Sequence, residues 1–339
     1  MVAGLIIILL LVLFLPFLLK PIEHNLEAFL FVMGLLAAIV SGVLNTELFI
    51  TALEDPIVIT LAVLIAGLLF KWLKTPIEGA ILNVSQKMDM RLFLALIIIV
   101  LGLISSVITA IIAAIVLVSV ISVLKLDRKT EIYAVIFACY SIGLGAVLTP
   151  IGEPLSTIAT NKLNEEFFYL FKLIGAEVIV SVLIIGIISY FVLKPKKVEK
   201  GLGNSGNEAE SYGEIVIRSF KIYLFVMGLT LLGAGYEPLV NQYLLDLQPG
   251  ALYWINIISA TLDNATLAAA EISPAMSAET IRFLLLGLII SGGMLIPGNI
   301  PNIIAANKLG ITSKEWAKMG VPFGLIVMVL FFIYLLIFS

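Results

Sequence analysis

The chain has 339 residues, of which 61% are hydrophobic and only 13% are charged. Soluble domains carry about 25% charged residues, and a water-soluble protein of this size has no room to bury so much apolar surface. A formal charge of −3 offers no basic excess for binding nucleic acid. The composition therefore predicts an all-α, polytopic membrane protein that lies in the lipid bilayer.

Apolar segments of about 20 residues are long enough to cross the hydrocarbon layer. Simple spans are predicted at residues 2–19, 26–44, 56–73, 166–194, 215–234 and 321–338, and interrupted spans at 132–163 and 281–309. Residues 2–19 lack the basic start of a signal peptide, so we interpret them as the first span.

Two further segments fit helical hairpins better than single spans. Residues 92–124 contain no charge, and as one helix they would be roughly 50 Å long against a hydrocarbon layer of about 30 Å. They are predicted to bend near Ser105, Ser106 and Thr109 as a hairpin on the cytoplasmic side. Residues 251–272 have arms that are too short to cross on either side of 261–266, which predicts a second hairpin that opens outward.

Basic residues predict the orientation. With the N-terminus outside, seventeen of the twenty Lys and Arg residues lie on the cytoplasmic side, as the positive-inside rule requires. This places both termini outside a cell membrane and a polar cytoplasmic linker at 195–214. The domains are then N-terminal scaffold spans at 1–91, a first repeat at 92–194 and a second repeat at 215–339.

The two repeats share one succession of elements in opposite orientation. Each has a hairpin with a polar tip and then a span interrupted by Gly and Pro, at 143–154 (GLGAVLTPIGEP) and 292–301 (GGMLIPGNIP). Backbone groups that such breaks release are tolerated in a membrane only where they line a cavity or are buried in protein. A pair of broken helices in inverted repeats is typical of secondary transporters, although each break alone also fits a kink that serves packing.

These motif pairs, at 92–163 and 251–309, resemble the ion transporter superfamily of arsenite permeases, NhaD-type sodium/proton antiporters and sodium–dicarboxylate symporters. More narrowly, the chain is similar to a small prokaryotic family of predicted cation transporters. The resemblance implies an elevator-type carrier that is usually a homodimer. Dicarboxylate members carry Ser-Asn-Thr at both hairpin tips, whereas the second tip here reads Asp263-Asn264-Ala265 and the first reads Thr109-Ala110-Ile111. This difference disfavours a dicarboxylate substrate.

Asp263 is the strongest candidate for ion coupling, because an ionisable group at membrane depth is a functional candidate by default and burial favours its protonated form. The alternative role is to cap the second arm of the hairpin, and the two roles are compatible. Glu153 in the first break is either a second ion site or a helix cap, and Glu177 is a candidate proton-path residue. The remaining candidate ligands offer amide, hydroxyl or backbone oxygens: Asn264, Thr261, Thr266, Thr149, Gly152, Ser105, Ser106, Thr109, Asn299 and Asn302.

The leading interpretation is a cation-coupled secondary transporter that exchanges Na⁺ for H⁺ and has no other cofactor. The alternative is a Na⁺- or H⁺-coupled carrier of an anion such as arsenite, an oxyanion or a carboxylate. A channel is a further alternative. An enzyme is not expected, because Asp263 is the only mid-membrane Asp and His24 and Cys139 are the only residues of their types. Glu271 is expected in the wet outer rim, and Glu177 could pair with Lys172.

Overall fold

The computed structural model describes residues 1–23, 25–124, 126–195, 211–244, 246–260 and 264–338. Every regular element assigned in these ranges is a helix, so the all-α prediction is confirmed for this part of the chain. His24, Thr261, Asp263 and most of the predicted linker lie outside the described residues.

Sixteen α-helices are described. In chain order they are α1 Val2–Leu18, α2 Lys20–Glu23, α3 Leu26–Ser41, α4 Thr46–Glu54, α5 Pro56–Lys87, α6 Met90–Ile108, α7 Ala110–Leu124, α8 Arg128–Ala146, α9 Pro154–Leu163, α10 Tyr169–Val192, α11 Tyr212–Tyr243, α12 Pro249–Ile255, α13 Asn264–Glu271, α14 Ala278–Gly292, α15 Ile300–Leu309 and α16 Ser313–Phe338. Short 3₁₀ turns occupy Asn256–Ala260 and Ile296–Gly298.

Five segments within the described residues are long and apolar enough to cross a membrane: Thr46–Leu73, Met90–Ile108, Tyr169–Val192, Tyr212–Tyr243 and Ser313–Phe338. Three shorter apolar helices add Val2–Pro16, Leu26–Ser41 and Ala110–Leu124. This composition is that of a membrane protein.

Three helices are longer than the sequence predicts: α16 begins at Ser313, before the predicted span at 321–338, and α5 and α11 run past their predicted ends. The predicted span at 56–73 continues as α5 to Lys87, through Pro76, and the predicted span at 215–234 continues as α11 to Tyr243, through Pro238. At 1.5 Å per residue, each 32-residue helix is about 48 Å long and exceeds the hydrocarbon layer. An interior proline removes a backbone donor and its ring crowds the preceding turn, yet both helices continue through it.

The helices α8 and α14 are the most enclosed parts of the fold. Nearly every residue of α8 from Thr130 to Ala146 is buried, and so is nearly every residue of α14 from Phe283 to Gly292. A helix that is apolar all round is a buried helix. By contrast, α16 exposes most of its apolar side chains, as expected of a helix that faces lipid.

The helices of the two halves of the chain pack in the same pattern, and some of their contacts cross from one half to the other. In each half, the first arm of a helix–turn–helix segment packs on the first part of an interrupted helix, as α6 packs on α8 and α12 packs on α14. The second parts pack across the halves, as α7 packs on α15 and α13 packs on α9. The long helices that precede these segments follow the same rule, because α5 contacts α7 and α11 contacts α13.

Candidate functional site

The turn between α6 and α7 lies directly on the first helix break. Ser105 Oγ donates to the carbonyls of Gly102 and Ile142 at 2.7 and 3.0 Å. The Thr149 hydroxyl donates to the Ser106 carbonyl at 2.5 Å, and the Ala110 amide donates to the Gly152 carbonyl at 2.8 Å. The structure therefore brings these predicted residues together, and it binds the hydroxyls of Ser105 and Thr149 to backbone carbonyls.

Thr109, which joins α6 to α7, has a positive φ of 76°. A β-branched residue rarely adopts a positive φ, and such a conformation costs about 1–3 kcal/mol. The Thr109 hydroxyl accepts the amide of Ile112 at 3.3 Å, which caps the start of α7. Strain of this kind persists only where surrounding contacts hold it in place, and it concentrates at functional positions.

Glu153 caps the second half of the first broken helix. Its carboxylate accepts the amide of Ser156, while the Ser156 hydroxyl and the Glu153 backbone complete a capping box. Glu153 is 2% exposed. The helix cap that the sequence analysis offered as an alternative is therefore present. An ion-binding role for the Glu153 carboxylate stays a prediction. Gly152 is required here because a Cβ at this position would overlap the Ala146 carbonyl.

The second break contains two buried asparagines. Asn302 is fully buried and Asn299 is 2% exposed. The Asn302 amide nitrogen donates to the carbonyls of Gly292 and Leu295, both at 2.9 Å, which satisfies backbone groups released by the break. Within the described residues, neither Asn299 Oδ1 nor Asn302 Oδ1 accepts a hydrogen bond. These two side chains therefore present buried oxygen acceptors without donors.

The second break lies against α8, which is the first part of the first broken helix. A Cβ placed on Gly143 would lie 2.5 Å from the Asn299 amide nitrogen, so glycine makes room for this side chain. One turn earlier, Cys139 Sγ lies 3.6 Å from the Pro301 carbonyl. The predicted residue Asn299 of the second half thus lies against Gly143 of the first half.

Two buried polar residues in this region were missed by the sequence analysis. Asn256 begins the 3₁₀ turn after α12, is fully buried, and accepts the Ser291 hydroxyl on its carbonyl at 2.6 Å. Ser141 lies on α8 and is also fully buried. Neither Asn256 Oδ1 nor Ser141 Oγ has a hydrogen-bond partner among the described residues. The available signal was a single amide inside the apolar run 254–258.

The second hairpin region is described up to Ala260 and again from Asn264. Asn264 and Thr266 are both buried at the start of α13. Glu271, at its end, is not in a wet rim as expected: its carboxylate hydrogen-bonds the Asn256 side chain. One of its oxygens is closed to solvent without a donor in the described part of the chain. The reason is that α13 is packed between α9 and α11.

Glu177 does not pair with Lys172 as the sequence allowed. Lys172 instead forms an exposed ion pair with Glu166 at 3.2 Å. Glu177 on α10 forms an ion pair with Arg282 on α14, and the two side chains are only 8% and 18% exposed. Five residues is a poor spacing for a pair along one helix, and packing between helices supplies Arg282 instead. The predicted proton path through Glu177 stays a prediction.

The buried polar side chains described above offer oxygen atoms as ligands. No group of three or more His, Cys, Asp or Glu side chains is placed to hold a metal ion in the ranges that the structure describes. Buried polar groups in proteins are nearly always hydrogen-bonded. Acceptor oxygens that lack donors are suited to a hard cation, which takes amide, hydroxyl and carbonyl oxygens as ligands.

Comparison with known families gives one result that covers the chain. The family model described as "Protein of unknown function (DUF1646)" matches residues 2–338. No curated protein matches the chain.

Proposed function

We propose that this chain, which belongs to the DUF1646 family, is a cation-coupled secondary active transporter and that it exchanges Na⁺ for H⁺. The observation that carries the proposal is the set of buried side-chain oxygens without donors at Asn256, Asn299 and Asn302. Leaving a buried acceptor unsatisfied costs about 1–3 kcal/mol. A cation that binds in the transport cycle compensates this cost.

Inverted repeats are part of the proposal. The pattern of helix packing supports them, because α6 packs on α8 as α12 packs on α14, and α7 packs on α15 as α13 packs on α9. An inverted pair of broken helices places the binding residues between the repeats. The helices α9 and α15 both begin at a break, at Pro154 and Ile300.

The transport step that we propose is an elevator movement. The two hairpins and the two broken helices move together as the transport unit, and α1, α3, α5 and α11 serve as the scaffold, in a homodimer. The enclosed α8 and α14 form the centre of the moving unit. Asp263 at the second hairpin tip provides the titratable carboxylate that a cation and a proton occupy in turn. Both termini lie outside the cell membrane.

A carrier of a small anion is the second candidate. The N-termini of α9 and α15 lie at the two breaks. The N-terminus of a helix attracts negative charge. Coupled Na⁺ or H⁺ would then balance the charge of arsenite, an oxyanion or a carboxylate. The buried amide oxygens favour the cation interpretation, since oxygen acceptors repel an anion.

Transport in proteoliposomes separates the candidates. Purified protein is reconstituted with a pH-sensitive dye inside, and Na⁺ is added outside. Antiport predicts that an inward Na⁺ gradient drives H⁺ out of the lumen and raises luminal pH, and that an outward Na⁺ gradient lowers it. Neither change requires an added anion. Dependence of the signal on added arsenite or carboxylate would instead favour the anion carrier. Passive flux that follows the gradient of one ion without coupling would indicate a channel.

A further inference from the structure

A half-open cavity with charged residues in its lining lies apart from the helix breaks, between the long helices and the second half of the first broken helix. It has a volume of about 180 Å³. Its lining comes from three directions: Thr51 and Asp55 at the α4–α5 junction, Asn161 and Lys162 on α9, and Thr230 and Glu237 on α11. One water needs only about 10–15 Å³ of such volume, so the cavity has room for several waters or for a small ion that keeps part of its hydration shell.

Lys162 is held in this cavity by backbone rather than by an acid. Its ammonium donates to the carbonyl of Ala269 on α13 at 2.8 Å and to that of Gly233 on α11 at 3.2 Å. Gly233 permits this arrangement, because a Cβ there would lie 2.6 Å from the Ala269 oxygen and 3.3 Å from the Lys162 nitrogen. The carbonyl pair is therefore a built position for one positive charge.

Lys162 balances only part of the acidic charge in the cavity lining. Asp55 accepts hydrogen bonds from the Thr230 hydroxyl, at 3.1 Å, and from the Asn161 amide. The Lys162 ammonium interacts electrostatically with Glu237, while its hydrogen bonds go to the two backbone carbonyls. Two carboxylates and one ammonium give the lining a net charge of −1, which matches a single monovalent cation.

We propose that this cavity is a binding site for a small monovalent cation, with Asp55 and Glu237 as its charged ligands and Thr51, Thr230 and Asn161 as neutral oxygen ligands. A divalent ion is disfavoured, since Ca²⁺ takes 6–8 oxygen ligands and Lys162 repels it. The site deepens the proposed function, because it concentrates the coupling ion between the scaffold helices and α9. It rests on that function for its role, but its occupancy is measured without transport.

Protection of an introduced cysteine tests the site directly. Cys139 is the only cysteine and it is buried, so Cys139→Ser gives a background without reactive thiols. Leu48→Cys then places a thiol on the cavity wall without removing a proposed ligand. Its rate of modification by a cationic thiosulfonate reagent is measured in detergent, with Na⁺ titrated against N-methylglucamine at constant ionic strength.

Binding predicts that Na⁺ slows the modification of the introduced thiol at least threefold and saturably. Asp55→Asn and Glu237→Gln should each raise the half-saturating Na⁺ concentration at least tenfold, while Glu47→Gln, on the exposed face of α4, should leave it unchanged. Lys162→Met should lower it, since it removes the competing charge. An Asp263→Asn background should keep the protection, which separates this site from the one at the breaks.

Absence of saturable Na⁺ protection in folded protein would overturn the proposal, as would protection that Asp55→Asn and Glu237→Gln leave unchanged. Folding of each variant is checked by its elution as a single species in gel filtration. The proposed transport function fails on a different result, namely the absence of coupled flux in proteoliposomes. The protection experiment therefore tests the cation site, and the flux experiment tests the transport function independently.

Discussion

Arg128 at the start of α8 forms a bidentate ion pair with Glu315 at the start of α16. Its Nε and Nη2 donate to Glu315 Oε1 and Oε2 at 3.0 and 2.8 Å. The same guanidinium donates to the carbonyls of Leu309 and Gly310, at the end of α15. Arg282 on α14 makes the corresponding contact with Glu177 on α10. In both halves, the first part of a broken helix is thus joined by an Arg–Glu pair to the long helix that follows the other break.

We predict that Arg128→Gln destabilises the protein by about 1–3 kcal/mol, because charge-assisted bonds of this kind contribute about that much and two carbonyls at a helix end lose their donor. Thermal unfolding in detergent measures the effect. The control is Lys172→Gln, whose ion pair with Glu166 is largely exposed and should contribute about 0–1 kcal/mol. Equal shifts for the two variants would contradict the prediction.

Gly143→Ala should impair ion binding at the breaks. The added methyl group would meet the Asn299 amide at 2.5 Å, which forces that side chain out of its present position. We expect the Na⁺ concentration for half-maximal exchange to rise at least tenfold. Gly175→Ala is the matched control on a buried helix position, because its Cβ would make only ordinary contacts of 3.5 Å with Phe171. Unchanged kinetics in Gly143→Ala would remove Asn299 from the site.

Glu271→Gln is predicted to reduce coupled exchange, contrary to the small effect that a wet position would give. The carboxylate is bonded to the fully buried Asn256, and one of its oxygens is enclosed. Replacing it with an amide changes both the charge and the donor pattern beside Asn256. Initial exchange rates measure the effect, with Glu279→Gln in the exposed first turn of α14 as the control. Equal exchange rates for both variants would contradict a role for Glu271 in coupled exchange.

The proposed orientation is tested by single cysteines in the Cys139→Ser background. A cysteine at position 205 should resist an impermeant maleimide in intact cells and react after permeabilisation, because the basic residues hold the linker on the cytoplasmic side. A cysteine at position 339 should react from outside. Reaction of position 205 in intact cells would reverse the orientation and would contradict the placement of both termini outside.

The sequence predicts the class of fold and the helix breaks well, because both depend on local composition. Apolar length identifies membrane helices, and the Gly and Pro residues at 143–154 and 292–301 interrupt them through their own backbone properties. The pairing of α7 with α15 and of α9 with α13 has no such local cause. It depends on packing between segments that are far apart in the chain.

The candidate site was predictable only in part for the same reason. Asn299 and Asn302 stand out beside prolines in an apolar segment, whereas Asn256 and Ser141 acquire significance only when their burial is known. Glu177 had a plausible neighbour along its helix in Lys172, and the structure supplies Arg282 instead. A charge partner on another helix cannot be read from spacing, since it depends on how the helices pack.

The most direct test of the central claim is Na⁺-driven proton movement in proteoliposomes, with wild type and Asp263→Asn measured side by side. We predict that an inward Na⁺ gradient drives protons out and alkalinises the lumen in wild type, and that the signal disappears in Asp263→Asn because the carboxylate that binds either ion is gone. A folded wild-type protein that moves no protons under a Na⁺ gradient would contradict cation-coupled antiport. Unchanged, pH-dependent exchange in Asp263→Asn would contradict the assignment of coupling to this residue.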